Sequence, residues 1–513
     1  MKKLICGITA LLIGVGSFGQ NSSEITQDDN SEVVVSQTSI GVFDSESVVI
    51  QTGTNIALVD QTGDNNSFID QDGDINDADV LQTGGNGSSG FGAAQQISIL
   101  EQTGAQNTSE VDQLGDGNNS FIDQNNLITD TRGNEATITQ NNFDNDSDVT
   151  QFNDANWARV RQNDDSNKST VDQISDGNTP ATLTGNFLQR STTTQNGSKN
   201  LSNVRQEGDN QISEVNQRAN LGGPEADPYT NEATVFQDGE DNFSSIFQRD
   251  RNASNNANNT VTINQFNTTG LVGNSSDVDQ FGENTATIDQ TGENSSTIVQ
   301  TGTNAAFVNQ DGTIISTLLQ NSAIFQTGTN SIANVMQVGD NDSFIDQTND
   351  FTDLEGNDAF VNQNGSFNFS SIDQDNDANF ASVTQIGSFN NSDIAQSSNE
   401  LVASQDPTNQ GYLQGVFVVQ LGNGNQSIVG QMGDNQIANV NQTANLGLVT
   451  GSNMASILQT GGLNDATINQ TDLTGIVTNN SATLTQTTAV GGIGNAIVIN
   501  QSGANTITIN QSN

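Results

Sequence analysis

The side chains able to do chemistry in this sequence are carboxylates and carboxamides. Sixty Asp and Glu stand against twelve Lys and Arg, with no His and a single Cys, Cys6. Gly-Asp pairs recur at Asp64, Asp74, Asp116, Asp209, Asp340 and Asp434, and hard oxygen ligands of this kind suit Ca²⁺. The Gly-Gly-x-Gly-x-Asp repeat of calcium-loaded β-rolls is absent, however, and Asp also favours turns and keeps strand edges soluble. A second set, Asp60, Asp70, Asp123, Asp289 and Asp346, stands at a fixed repeat position. That is where a solvated outer face puts them, so they do not read as paired general acids and bases. Without His, and with Cys6 near the N-terminus, disulfides, thiol chemistry and His or Cys metal sites are excluded. No catalytic, cofactor-binding or metal-ligating residue is assigned, and the chain is not expected to be an enzyme.

The carboxamides are spaced more informatively. In 51–71, QTGTNIALVDQTGDNNSFIDQ, a Gln is followed by Gly two residues on and by Asn four or five residues on. A small residue, a β-branched or apolar residue and the next Gln then follow at steps of two. In the first copy these are Asn55, Ala57, Val59 and Gln61; in the second, Asn65, Ser67, Ile69 and Gln71. A period of two is that of a β-strand, so the four share one face while Ile56, Leu58 and Asp60 point the other way. The Gln-x-Gly-x that follows makes a turn, since Gly takes positive φ at no steric cost. In-register Gln recur at Gln51, Gln61, Gln71, Gln113, Gln124, Gln280, Gln290, Gln300, Gln310, Gln420, Gln431, Gln501 and Gln511. With Asn55, Asn65, Asn294, Asn425 and Asn435 they are the expected ladder residues, because stacked amides satisfy one another.

Composition sets the frame. Hydrophobic residues make up 32% of the 513 and the net charge is −48. Such a balance ordinarily means disorder, but the strict period and the scarcity of proline (four residues) argue for order. Pro180, Pro224, Pro228 and Pro407 all fall in lengthened or irregular connections, where no ladder N–H is needed. A charge this acidic repels nucleic acid and anionic membranes, and no membrane insertion is expected. All ten Lys and Arg beyond Lys3 lie between Arg132 and Arg251. This is either drift on solvated faces or a surface for an acidic partner such as another subunit.

Residues 1–19 read as a signal peptide: Lys2 and Lys3, the short apolar run Leu4 to Val15, then Ser17 and Gly19 before Gln20. A lead-in with irregular repeats covers 20–50. A longer duplication follows, with 120–140 matching 343–363 and 206–222 matching 431–447, so 51–280 and 281–513 read as two copies of one block. Each holds 17 clear strand units. An eighteenth is expected at NTPATLT (178–184) and NELVASQ (399–405), since an even count keeps long turns on the same edges. About 40 units make about 20 coils, a stack of roughly 100 Å at the strand spacing. The predicted fold is all-β: a β-solenoid of stacked two-strand coils, cross-β and amyloid-like.

Two of these units carry a resemblance. QLGNGNQSIVGQ (420–431) and QLGDGNNSFIDQ (113–124) fit Gln-x-Gly-x-Gly-Asn-x-Ala-x3-Gln with Ser427 and Ser120 in place of Ala. That pattern resembles the curlin repeat of the curli fibre subunits of Gram-negative bacteria. ATIDQTGENSSTIVQTGTNAAFVNQ (286–310) resembles its nucleator-type version. The resemblance implies an extracellular functional amyloid that self-associates into biofilm fibres. It further implies a curlin-type nucleator and an outer-membrane secretion channel as partners. Two departures stand out: family subunits are far shorter, and the stretch 20–30 already holds Ile25 and Gln27 in register.

Solenoids that stay monomeric need polar caps. The last unit, with Asn505, Ile507, Ile509 and Gln511, keeps the repeat pattern, so it is the expected docking edge. The alternatives are a monomeric cell-surface β-solenoid adhesin, a calcium-binding solenoid, or an ice-binding face. For the last, Thr137/Thr139, Thr285/Thr287 and Thr483/Thr485 are present but form no unbroken row.

Overall fold

In the computed structural model the described residues are 21–38, 45–84, 95–126, 133–175, 189–219, 231–249, 258–267, 273–312, 320–349, 356–376, 378–398, 414–444, 453–472, 480–489 and 494–512. The leader expected at 1–19, the four prolines, and 178–184 and 399–405 lie outside them. The chain divides into two compact units, Met1–Asn259 and Thr260–Asn513. Every element among the described residues is a β-strand, and each unit is a β-solenoid of two-strand coils.

The first unit shows how coils form. β1 (Ser22–Gln27) and β2 (Glu32–Thr38) lie on β3 (Glu46–Thr62), which runs through a turn and supplies two arms. β1 pairs in parallel with the first arm, bringing Gln27 beside Gln51, and β2 with the second, bringing Gln37 beside Gln61. β4 (Asn65–Thr83) stacks on β3 arm for arm, with one register shift at the corner between Thr54 and Ile56. From there each strand pairs in parallel with the one two ahead, as Gln96–Ala105 does with Asn119–Asn125. Sixteen strands, two of them double, give eighteen arms and nine coils.

The second unit repeats the scheme. Asn294–Asp311 and Gln320–Val338 are its double strands, paired arm for arm with a shift between Thr303 and Ala305. Eighteen strands, two of them double, give twenty arms and ten coils. Nineteen coils among the described residues compare with the twenty or so expected.

Alternation decides which side chains are inside. In β4, Asn65, Ser67, Ile69 and Gln71 are buried while Asn66, Phe68 and Asp70 are half-exposed outside. The dry core is thin: most arms bury one Val, Ile or Leu and one Ala or Ser, as Val59 and Ala57 or Ile138 and Ala136, while the arm Gln189–Asn196 buries Ser191 and Thr193. Burying each such apolar side chain is worth about 1.5–3 kcal/mol, so no arm is stable alone and stacking supplies the rest.

Corners need left-handed backbone. Gly73 has φ +125°, and a Cβ there would lie 1.8 Å from the carbonyl oxygen of Gly104 in the next coil. In the glycine-free corner before Asp146, Asn142 and Asp144 take φ of 73° and 55°; such short polar side chains tolerate that region best after glycine.

The ladder register is the same on either side of 176–188 and 399–413, which lie outside the described residues. The inward amides pass straight from Gln162 to Gln195 and from Gln173 to Gln206. In the second unit they pass from Gln385 to Gln420 and from Gln396 to Gln431. The eighteenth unit expected at 178–184 and 399–405 lies outside the described residues.

Candidate functional site: amide ladders and the exposed coil edge

Each unit carries two columns of Gln, buried everywhere except at Gln27 and Gln37. One in the first unit runs Gln27, Gln51, Gln71, Gln102, Gln124, Gln151, Gln173, Gln206, Gln237. Each Nε2 donates to the next Oε1 at 2.6–3.0 Å. The other runs Gln37, Gln61, Gln82, Gln113, Gln140, Gln162, Gln195, Gln217, Gln248 at 2.7–2.9 Å. The second unit has Gln265–Gln290–Gln310–Gln337–Gln363–Gln385–Gln420–Gln442–Gln470–Gln501 at 2.7–3.0 Å. Its other column is Gln280–Gln300–Gln326–Gln347–Gln374–Gln396–Gln431–Gln459–Gln486 at 2.7–2.9 Å.

The second N–H of a Gln reaches the backbone of the opposite sheet. Gln71 Nε2 donates to the Ile56 carbonyl at 3.0 Å and Gln124 Nε2 to the Thr108 carbonyl at 3.1 Å. Each amide thus pins one coil to the next and the two sheets to each other. Burial is affordable only because these partners exist.

The Asn columns run the other way. Asn145 donates back to Asn118 Oδ1 through its backbone N at 3.0 Å and its Nδ2 at 3.2 Å. Asn167 does the same to Asn145, and Asn200 to Asn167. Gln amides donate toward higher residue numbers and Asn amides toward lower ones, so the two sets of aligned amide dipoles oppose each other.

The sequence-derived residues fall as follows. Gln51, Gln61, Gln71, Gln113, Gln124, Gln280, Gln290, Gln300, Gln310, Gln420, Gln431 and Gln501 are rungs of these columns. Asn55 accepts from the Asn76 backbone N at 3.0 Å, Asn294 donates to Asn274 Oδ1 at 3.0 Å, and Asn425 to Asn390 Oδ1 at 3.0 Å. Asn65 is buried and donates to the Thr62 carbonyl at 3.0 Å. Asn435 is the exception: it is exposed, with φ of 54°, and Gln436 takes the buried position. Repeats of eleven residues spend one more residue on the corner, so the inward position lies six before the next Gln, not four after the last.

Counting backward also finds residues that a forward count misses. Gln96, Gln189, Gln211, Gln414 and Gln436 occupy Asn positions. Their longer side chains donate to the carbonyls of Gly115, Gly208, Gly239, Gly433 and Gly461 respectively. Outside, Asn441, Asn469 and Asn500 form a short exposed ladder at 2.9 and 2.8 Å. Phe360, Phe380 and Phe417 follow one another as tilted ring pairs with centroids 5.6 and 5.1 Å apart. In each case the coil spacing brings like residues together.

The outward carboxylates feel that spacing as repulsion. Burial pushes the carboxyl groups of Asp70, Asp123 and Asp346 up from the ordinary value near 3.8, helped by Asp72, Asp148 and Asp375 respectively. Asp60 is exposed, and Asp289 accepts from Asn264 Nδ2 at 2.7 Å. Of the Gly-Asp residues, Asp64 and Asp209 are buried and Asp74, Asp116, Asp340 and Asp434 are not. Among the described residues no three His, Cys, Asp or Glu are grouped so as to hold a metal ion. Nor is any helix among them long and apolar enough to cross a membrane.

Thr285 and Thr287 stand beside Thr260 and Thr262, but Thr137 and Thr139 are flanked by Glu110, Asp112, Arg159 and Arg161. Thr483 and Thr485 adjoin Ser456 and Leu458 on one side.

The edge strand is Thr506–Ser512, paired with Ser481–Thr487 on one side and, among the described residues, with nothing on the other. Ile507, Ile509 and Gln511 are half-buried and Asn505 is exposed, where the equivalent interior residues are buried. Gln511 sits beside Gln486, and its Oε1 has no partner among the described residues.

No protein-family model, no curated protein and no solved structure matches this chain.

Proposed function

We propose that this chain is a secreted structural subunit of a curli-like extracellular amyloid fibre of a Gram-negative bacterium, serving adhesion and the biofilm matrix. Subunits join by end-to-end stacking of coil edges. The observation that carries this reading is the half-buried strand Thr506–Ser512, one-sided among the described residues, with Ile507 and Ile509 in the register that interior coils bury completely. An edge of this kind accepts another strand. The ladders give the addition a direction, because each interior Gln donates forward and accepts from behind. An incoming coil that offers Gln27 and Gln37 Oε1 continues both columns without reversing an amide. The repeat pattern of 113–124 and 420–431 supports the curli-like assignment, and with it a curlin-type nucleator and an outer-membrane secretion channel as partners.

The test is seeded growth of purified protein, followed by electron microscopy. Replacing Ile507 and Ile509 with Lys places two charges in the joint, and elongation should fall at least tenfold. Normal elongation by this variant would move the joint elsewhere. Unchanged protein that stays monomeric under every seeding condition would instead favour the monomeric adhesin.

A further inference from the structure

The outer face of one sheet in the first unit has a charge pattern that the fibre reading does not use. Register places its outward side chains in three rows across successive coils. One row reads Asp77, Thr108, Glu135, Trp157, Arg190. The next reads Asp79, Glu110, Thr137, Arg159, Thr192, and the third Leu81, Asp112, Thr139, Arg161, Thr194. Strand Glu135–Asn141 is the midpoint of all three. Acids lie on one side of it and arginines on the other, at equal numbers of coils.

We propose that this face is a self-complementary interface, pairing two copies of the chain side by side about a two-fold axis that runs along strand Glu135–Asn141. Such an axis keeps each residue's position along the strand and reverses the order of coils. Glu110 of one copy then faces Arg159 of the other, Asp112 faces Arg161, and Asp77 faces Arg190. Each pair occurs twice, as an isologous contact requires. Thr137 and Thr139 lie on the axis, where short side chains let two sheets approach. Glu135 lies there too, but its carboxylate accepts the Trp157 indole N–H at 3.1 Å, which turns it along the column.

Among the described residues, no side chain of either half of the face is in an ion pair. Arg159, Arg161 and Arg190 are exposed, and none is in an ion pair among the described residues. Arg190 instead rests over the Trp157 ring, 5.1 Å from its centroid, leaning toward the axis. On the other half, the Asp79 carboxyl is pushed up by burial and then by Glu110, Asp77, Asp60 and Asp112. That repulsion is what a facing row of arginines relieves.

A second copy fits better than an unrelated polyanion. Two strand spacings, about 10 Å, separate the Arg159 coil from the Glu110 coil. A polyanion on the arginines lies within about one Debye length of the acids at physiological salt and is repelled by them. A second copy meets both halves with opposite charge.

Sedimentation velocity of the full chain tests this, in an Ile507→Lys, Ile509→Lys background that leaves the face untouched. The pairing holds whether or not coil ends polymerise, so its outcome is separate from that of the fibre reading. At about 20 mM salt the protein should sediment as a dimer and at about 1 M as a monomer. Arg159→Glu with Arg161→Glu should weaken dimerisation about tenfold or more, and so should Glu110→Arg with Asp112→Arg. Mixing those two variants should restore dimers, because both mixed contacts are then opposite in sign. All four reversals in one chain should restore them as well. Monomers at low salt before any reversal would overturn the proposal. So would dimers that survive a single reversal, or mixtures and fourfold variants that stay monomeric, including the case in which soluble polyuronate binds instead.

Discussion

A buried Gln in this protein is a structural joint with three hydrogen bonds. Gln151 accepts from Gln124 at 2.8 Å, donates to Gln173 at 2.8 Å, and donates to the Glu135 carbonyl at 3.1 Å. Removing it leaves the Gln124 donor and the Gln173 acceptor short of a partner inside the solenoid. Gln151→Ala should therefore cost about 2 kcal/mol or more, read as roughly 30-fold loss of amide-exchange protection in the adjoining coils. The neighbouring Thr150 points outward, and Thr150→Ala should stay within about 0.5 kcal/mol. Equal effects from the two would contradict the ladder account. At this scale the sequence was legible wherever repeats have ten residues, as at Asn55 and Asn65. Asn435 was misplaced because an eleven-residue repeat puts its extra residue in the corner, and spacing from the preceding Gln cannot show where.

At the scale of the strand, every position becomes a column. Gly53, Gly73 and Gly104 stack because a Cβ on either of the first two collides with the next carbonyl. Acids become columns as well, and these are unfavourable when charged. The carboxyl groups of Asp70, Asp79, Asp112, Asp123, Asp148, Asp172, Asp346 and Asp373 are all pushed above the ordinary 3.8, mainly by burial. A carboxyl raised in the folded chain binds more protons there than in the unfolded chain, in the window above 3.8. Stability then rises as pH falls through that window and reaches its full value below 3.8. Thermal unfolding should be later at pH 4 than at pH 7, and fibre growth faster. An earlier melt with a longer lag at pH 4 would show that these columns do not govern assembly. Strand and corner were readable from period and glycine alone. The glycine-free corner before Asp146 was not, since there Asn142 and Asp144 take the left-handed positions with no glycine to mark them.

For the whole molecule, repetition explains how a chain with 32% hydrophobic residues and a charge of −48 orders itself. Each coil buries little, but neighbours on both sides complete its core and its ladders, so order propagates from coil to coil. The fold class was legible because that requirement repeats along the chain, from Gln27 to Gln511. The edge was less so: Ile507 and Ile509 match interior residues in type, and only their half-exposure sets them apart. The charge symmetry about Glu135–Asn141 was invisible, because it depends on which strands are neighbours. Diffraction from aligned fibres grown from purified protein tests the central claim most directly. Coil-on-coil growth predicts a reflection at about 4.7–4.8 Å along the fibre axis. Fibres with that spacing across the axis, or protein that never forms fibres, would contradict it.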